Sequence, residues 1–166
     1  MAVIHSPLSD SDSEACATAL QATLVDVLAV RELAQQAGWT VVGTNAQDLR
    51  RSFYELRESL GRTADVVAHR SAALGVAPDG RPATVAAQSE IGPPWDGWLE
   101  VAESVSRVID GLSMCIVNAR SWIPVLNAGD PVSAQVMVTA LASLEEWNWQ
   151  WQSAGANWIS RGRHGS

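Results

Sequence analysis

Residues 74–94, LGVAPDGRPATVAAQSEIGPP, decide the fold, because they carry Gly75, Pro78, Gly80, Pro82, Gly92, Pro93 and Pro94 between two long helical patterns. Glycine and proline at this density break regular structure. Connections this long in a compact domain carry function or a short helix of their own, and residues 84–89 are predicted to supply one. On the N-terminal side, residues 45–74 read as a helix with the apolar stripe Leu49, Phe53, Leu56, Leu60, Val67 and Leu74. Thr44 with Gln47 has the form of a capping box for its start. On the C-terminal side, residues 95–127 read as another helix, with Val101, Val105, Val108, Leu112, Cys115 and Ile116 facing inward and Pro124 expected to kink its end.

Further out, Ser11 followed by Glu14 has the capping-box pattern for a first helix reaching about Val42, and Gly43 ends it. Leu20, Leu24, Val27, Leu28, Ala34 and Val41 form its apolar face, and Arg31 falls inside that face, so it needs a partner or a polar interface. Gly129 closes the third pattern. Asp130 then Pro131, N-cap followed by first helical residue, opens a fourth helix to about residue 154. Four amphipathic helices with a long crossover between the middle two describe an all-α bundle distinct from the up-down-up-down arrangement. The expected organisation is an acidic flexible tail over 1–13, one bundle domain over 14–155 and a flexible tail over 156–166.

The chain has 166 residues, 47% of them hydrophobic, enough for one core without disulfide or metal staples. Cys16 and Cys115 sit apart in apolar surroundings without CxxC spacing and read as buried thiols. No basic n-region opens the sequence and no apolar run of about 18 residues occurs, so a cytoplasmic protein without a membrane segment is expected. Eleven basic residues, all arginine, oppose 18 acidic ones for a net charge of −7. Asp10, Asp12 and Glu14 stand where a phosphate-binding arm would be basic, which disfavours direct DNA binding. Arg161 and Arg163 are the only concentrated positive charge and the one candidate DNA contact. Eight tryptophans are read chiefly as core and interface packing; Trp147 and Trp151 share a helix face that Trp149 does not.

The second helix also has a polar face: Arg50, Tyr54, Gly61, Asp65 and His69 project away from its apolar stripe. Gly61 costs about 1 kcal/mol in a helix interior, so it reads either as close approach by another backbone or as simple tolerance. Asp65 and His69, at i and i+4, are acceptable spacing for two ligands of a divalent metal, although two ligands alone are too few. A third from a second subunit or from Tyr54 would be required, and zinc or copper would suit such a pair better than stored iron.

The segment from Trp39 through Val42-Gly43 and the second helix to Leu74-Gly75-Val76-Ala77-Pro78-Asp79-Gly80-Arg81-Pro82 resembles the Dps (DNA protection during starvation) family of the ferritin-like superfamily. Asp130-Pro131-Val132-Ser133 and Leu144-Glu145-Glu146 with Trp149 are similar to the family's last helix. The resemblance implies a ferritin-like four-helix bundle, a short extra helix in the crossover, and a hollow shell, expected to be a dodecamer with two-fold dimer contacts. It also implies an iron-oxidising centre shared between two subunits, where this chain departs from the pattern. The family's two histidines correspond to Gly38 and Arg50, and its first aspartate to Tyr54. Of the mate's two carboxylates, Asp65 remains and the other is His69. A guanidinium stays protonated and repels a cation, so no metal is expected at that centre, although iron or another divalent ion held by Asp65 and His69 stays open. Arg50 is expected to pair instead with Asp65 of the mate. At the pore the family lines with acidic residues, Asp130 matches and Gln135 replaces a carboxylate.

These residues lead to a stress-protection shell without ordinary ferroxidase activity. The alternatives are an iron-storage ferroxidase with a site displaced to Asp65, His69 and Glu58, and a DNA-protecting particle acting through Arg161 and Arg163.

Overall fold

The computed structural model describes residues 4–162, with side chains described through 155. Four long helices, α1 (Asp10–Thr40), α2 (Ala46–Ala73), α4 (Val101–Ser121) and α6 (Pro131–Gly162), pack around one core, with two short helices, α3 (Pro82–Gln88) and α5 (Ile123–Gly129), between them. Every apolar position expected on α2 and α4 is buried, and the core runs from Cys16 on α1 to Trp151 on α6. Phe53 and Trp151 stack there with ring centroids 4.7 Å apart. α1 is long and apolar enough to cross a membrane by length and composition, yet most of that stretch is buried inside the bundle.

Several boundaries differ from the sequence reading, each for a local reason. The cap of α1 is Ser9, whose Oγ accepts from the Asp12 backbone N–H at 3.2 Å and donates to the Asp12 carboxylate at 2.7 Å, so the helix starts before the Ser11–Glu14 pair. α1 ends at Thr40, because Val41–Val42 (β1) pairs in parallel with Leu99–Glu100 (β2) in a two-residue ladder. That ladder also delays α4 to Val101, six residues past the expected start. α2 opens at Asn45, which adopts a left-handed conformation with φ 68°, and Thr44 makes no cap. Pro124, rather than kinking a continuous helix, lies in the first turn of the separate helix α5. The short crossover helix and the Asp130–Pro131 start are found where expected, while α6 continues past residue 154 to Gly162.

The crossover is tied down by side chains at both ends. Gln21 donates to the Asp79 carbonyl at 2.8 Å and accepts from the Asp79 N–H at 2.9 Å. Asp79 also receives Arg81 and Thr84, and the Arg81 hydrogen bonds hold its carboxyl well below the usual range. At the far end Ser89 donates to the buried Asp26 at 2.7 Å, and Asn118 of α4 donates to the same carboxylate at 2.9 Å. Gly75, at the start of the crossover, has φ +80° and would place a Cβ 2.8 Å from the Ile4 carbonyl oxygen. Both the conformation and the contact oppose a side chain there. Gly75→Ala is therefore expected to lower stability by about 1 to 3 kcal/mol in chemical denaturation, whereas Gly92→Ala, which meets open space at ordinary φ, should be close to neutral.

Candidate functional site

Gly38 of α1 and Arg50 and Tyr54 of α2 lie at one end of the α1–α2 pair. Gly38 is buried one turn before the end of α1, and a Cβ built on it would lie 3.1 Å from the Tyr54 ring. Tyr54 thus roofs the position from which a longer side chain would project. Tyr54 is 39% exposed, and the Arg57 guanidinium stands 5.8 Å from its ring centroid, within cation–π range. Arg57 also donates to Gln35 of α1 at 3.4 Å and to Glu58 at 2.5 Å, and its Nε is buried without a hydrogen-bond partner among the described residues.

Arg50, one turn before Tyr54, is half-buried and donates to the Val41 carbonyl at 3.0 Å, which fastens α2 to the end of α1. Asp65 and His69 lie further along the same face, exposed, with no hydrogen bond or ion pair among the described residues. They are on one helix, but Asp65 is 11 residues from Tyr54, or about 16 Å along the axis. One subunit therefore keeps the two groups of positions apart. Among the described residues, no three His, Cys, Asp or Glu side chains converge on a point that would hold a metal. Two cavities of about 700 and 620 Å³ lie elsewhere, beneath residues 4–6 and beneath the crossover, and neither is lined by Gly38, Arg50 or Tyr54.

The electrostatics of this face are set by arginine. The hydrogen bond from Arg57 holds the Glu58 carboxyl below its usual range, with the charges of Arg57, Arg31 and Arg62 acting in the same direction. Arg31, which sequence placed in an apolar face, contacts Glu32 at 3.4 Å and lays its Nε 3.6 Å from where a Gly61 Cβ would sit. Gly61 is thus approached by an arginine side chain rather than by a backbone.

Asp130 is 4% exposed and belongs to a different cluster. Its carboxylate caps α6 through the Val132 and Ser133 N–H groups, accepts from Ser133 Oγ, and pairs with Arg70 of α2 at 2.5 Å. Burial pushes its pKa up, but the bonds from Ser133, Arg70 and the two N–H groups outweigh burial and bring it down to about 2. Sequence reading found the cap but not Arg70, whose only signal was a basic residue in the last turn of α2. Both cysteines are buried and unbonded, and burial raises both thiols. Trp151 is buried and Trp147 partly so, while Trp149, Trp39 and Trp98 are 60%, 55% and 70% exposed. The side chains of Arg161 and Arg163 lie outside the described residues.

Comparison with known proteins gives one family: the Ferritin-like domain matches residues 17–154. The chain is 26% identical over 132 residues to "DNA protection during starvation protein 2" of Deinococcus radiodurans, covering 80% of this chain but only 55% of that protein. It is 27% identical over 139 residues to the "DNA protection during starvation protein" of Halobacterium salinarum, covering 82% and 76%. Among solved structures, the Dps92 crystal structure from Deinococcus radiodurans superposes with a TM-score of 0.83 at 25% identity, covering 86% of this chain and 87% of that one.

Proposed function

The chain belongs to the ferritin-like family as a Dps member, and from that premise we propose that it builds a hollow homo-oligomeric stress-protection shell, dodecameric with two-fold contacts, that lacks ordinary ferroxidase activity. The observation that carries this reading is the Tyr54 ring over Gly38. The position where the family places an imidazole has no side chain, and its space is taken by an aromatic ring. Arg50 supplies a permanent positive charge where the second imidazole belongs. Ferrous iron, here a substrate, is held by carboxylate oxygens and imidazole nitrogens, and this half of the centre offers neither. The residues do not fit it.

A displaced site made from Asp65, His69 and Glu58 is the weaker reading, since Glu58 is already engaged by Arg57. Asp65 and His69 alone leave a divalent ion short of ligands. Asp130, committed to its helix and to Arg70, serves the subunit's packing rather than a cation passage. A net charge of −7 per chain, multiplied over a shell, opposes direct DNA binding at ordinary salt.

The test is anaerobic addition of ferrous iron to the purified oligomer, followed by air. Oxidation at the protein-free rate supports the proposal, and rapid oxidation saturating at a fixed number of ions per subunit overturns it.

A further inference from the structure

We infer that a small cavity between α2 and α6 binds a compact organic ammonium ion, which lies against the indole of Trp147 with its charge met by the Glu55 carboxylate. The cavity shares no lining residue with the Gly38, Arg50 and Tyr54 end of the molecule, and the inference is independent of the iron chemistry.

The argument starts from spacing. Ser52 and Glu55 stand at i and i+3 on α2, while Trp147, Gln150, Trp151 and Ala154 stand at i, i+3, i+4 and i+7 on α6, so each set shares one helix face. Between them these six residues enclose about 160 Å³. Clefts for drug-sized ligands occur between the helices of bundles and run from about 300 to 1,000 Å³. This one is sized for a small ion. Phe53 stacks on Trp151 with ring centroids 4.7 Å apart and planes 20° from parallel, and Trp151 is 2% exposed, so the floor of the cavity is fixed before a ligand arrives.

Electrostatics chooses the ligand class. Aromatic faces attract cations, and this chain satisfies two of its rings with its own arginines: Arg57 stands 5.8 Å from the Tyr54 centroid and Arg107 stands 5.7 Å from that of Trp95. Trp147 has no such cation among the described residues, and no arginine lines its cavity. Glu55 shows the same vacancy from the acidic side. Glu58, Glu103 and Glu145 are held by Arg57, Arg107 and Arg120, whereas Glu55 makes no hydrogen bond or ion pair among the described residues. The Gln150 amide nitrogen donates to Glu146 at 3.3 Å, which leaves its oxygen as a second acceptor beside the carboxylate. An anion would be repelled by Glu55 in a chain of net charge −7, and a neutral ligand would leave that carboxylate unanswered. A cation with an apolar shell answers both the indole and the carboxylate.

The experiment is saturation-transfer NMR on the methyl protons of choline chloride, titrated into the full chain at constant ionic strength. Its control is the uncharged alcohol in which carbon replaces the quaternary nitrogen. Saturable transfer to choline, with little to the alcohol, is the expected result. Losing the indole in Trp147→Leu should weaken binding about 2- to 30-fold, the range of cation–π contacts, and Trp147→Phe should weaken it less because a ring remains. Glu55→Gln changes an exposed side chain and leaves the packing alone, so it separates loss of the charge from loss of the fold. It should weaken choline binding about three-fold or more and leave the alcohol's signal unchanged. Equal transfer to the two probes, a response that never saturates, or full binding in Glu55→Gln would overturn the inference.

Discussion

Replacing Gly38, Arg50, Tyr54 and His69 together, by His, His, Asp and Glu, is expected, on the proposed function, to create fast ferrous oxidation. With Asp65 already present, the four changes complete two imidazoles and three carboxylates across the proposed two-fold contact. Ligand-shell changes move metal affinity or activity by about 10- to 100-fold, and a gain of that size over the unmodified protein is the expected result. The order of changes matters. Gly38→His alone should gain nothing, because its Cβ would enter within 3.1 Å of the Tyr54 ring and the imidazole would be turned away. Tyr54→Asp alone should also gain nothing, since Arg50 remains beside the opened space. Residues that share one site couple strongly, so the singles are expected to fall far short of the combination. Oxygen-consumption traces for the singles and the combination check this directly. A large gain from Gly38→His by itself would show that the ring is no obstacle.

The second large effect is expected at the junction of α2 and α6. Asp130→Ala removes the α6 cap and leaves the Arg70 guanidinium, which is mostly buried, without its carboxylate. Breaking a buried pair from one side costs about 3 to 5 kcal/mol, and the lost cap, about 1 kcal/mol by itself, overlaps with that figure. A loss of about 4 kcal/mol in urea denaturation is expected near neutral pH. Asp130→Asn, which still caps, should lose less. The same carboxylate sets a pH dependence. Its folded pKa of about 2 lies below the unfolded value near 3.9, so the folded state favours the ionised form. The resulting stability is present above about pH 4 and fades as pH falls through about 2, amounting to about 2 to 3 kcal/mol. Asp130→Asn should flatten that acid limb, and denaturation series at neutral pH and near pH 2.5 read the difference.

The architecture was legible because its signals are local and periodic. The apolar stripes of α2 and α4 recur at helical spacing, the Gly- and Pro-rich crossover cannot continue a helix, and Asp130–Pro131 is a cap followed by a residue with no N–H left in need of an acceptor. What escaped was set by partners distant in sequence. Val41–Val42 reads as helix until Leu99–Glu100 pairs with it, 58 residues on. Asn45 takes its left-handed turn because the chain must reverse between α1 and α2.

At the candidate site, residue types were readable but their contacts were not. Substitution of expected ligands by Gly38, Arg50 and Tyr54 is visible from the resemblance alone. That Tyr54 fills the space left by Gly38 is a tertiary fact, as is the attachment of Arg50 to the Val41 carbonyl. The two changes at Gly38 and Tyr54 are complementary in volume: a small residue beneath a large one. That is the geometry of a packed contact rather than of an empty ligand cage. Arg57, with one face to Tyr54 and hydrogen bonds to Gln35 and Glu58, gave no sequence signal beyond its charge.

The most direct measurement is a crystal structure of the oligomer soaked anaerobically in ferrous salt, with anomalous data collected across the iron edge. The account predicts no anomalous peak in the cleft bounded by Gly38, Arg50, Tyr54 and the partner's Asp65, with the Tyr54 ring in place. An iron peak there, coordinated by the partner's Asp65 or His69 with the ring swung aside, would contradict it.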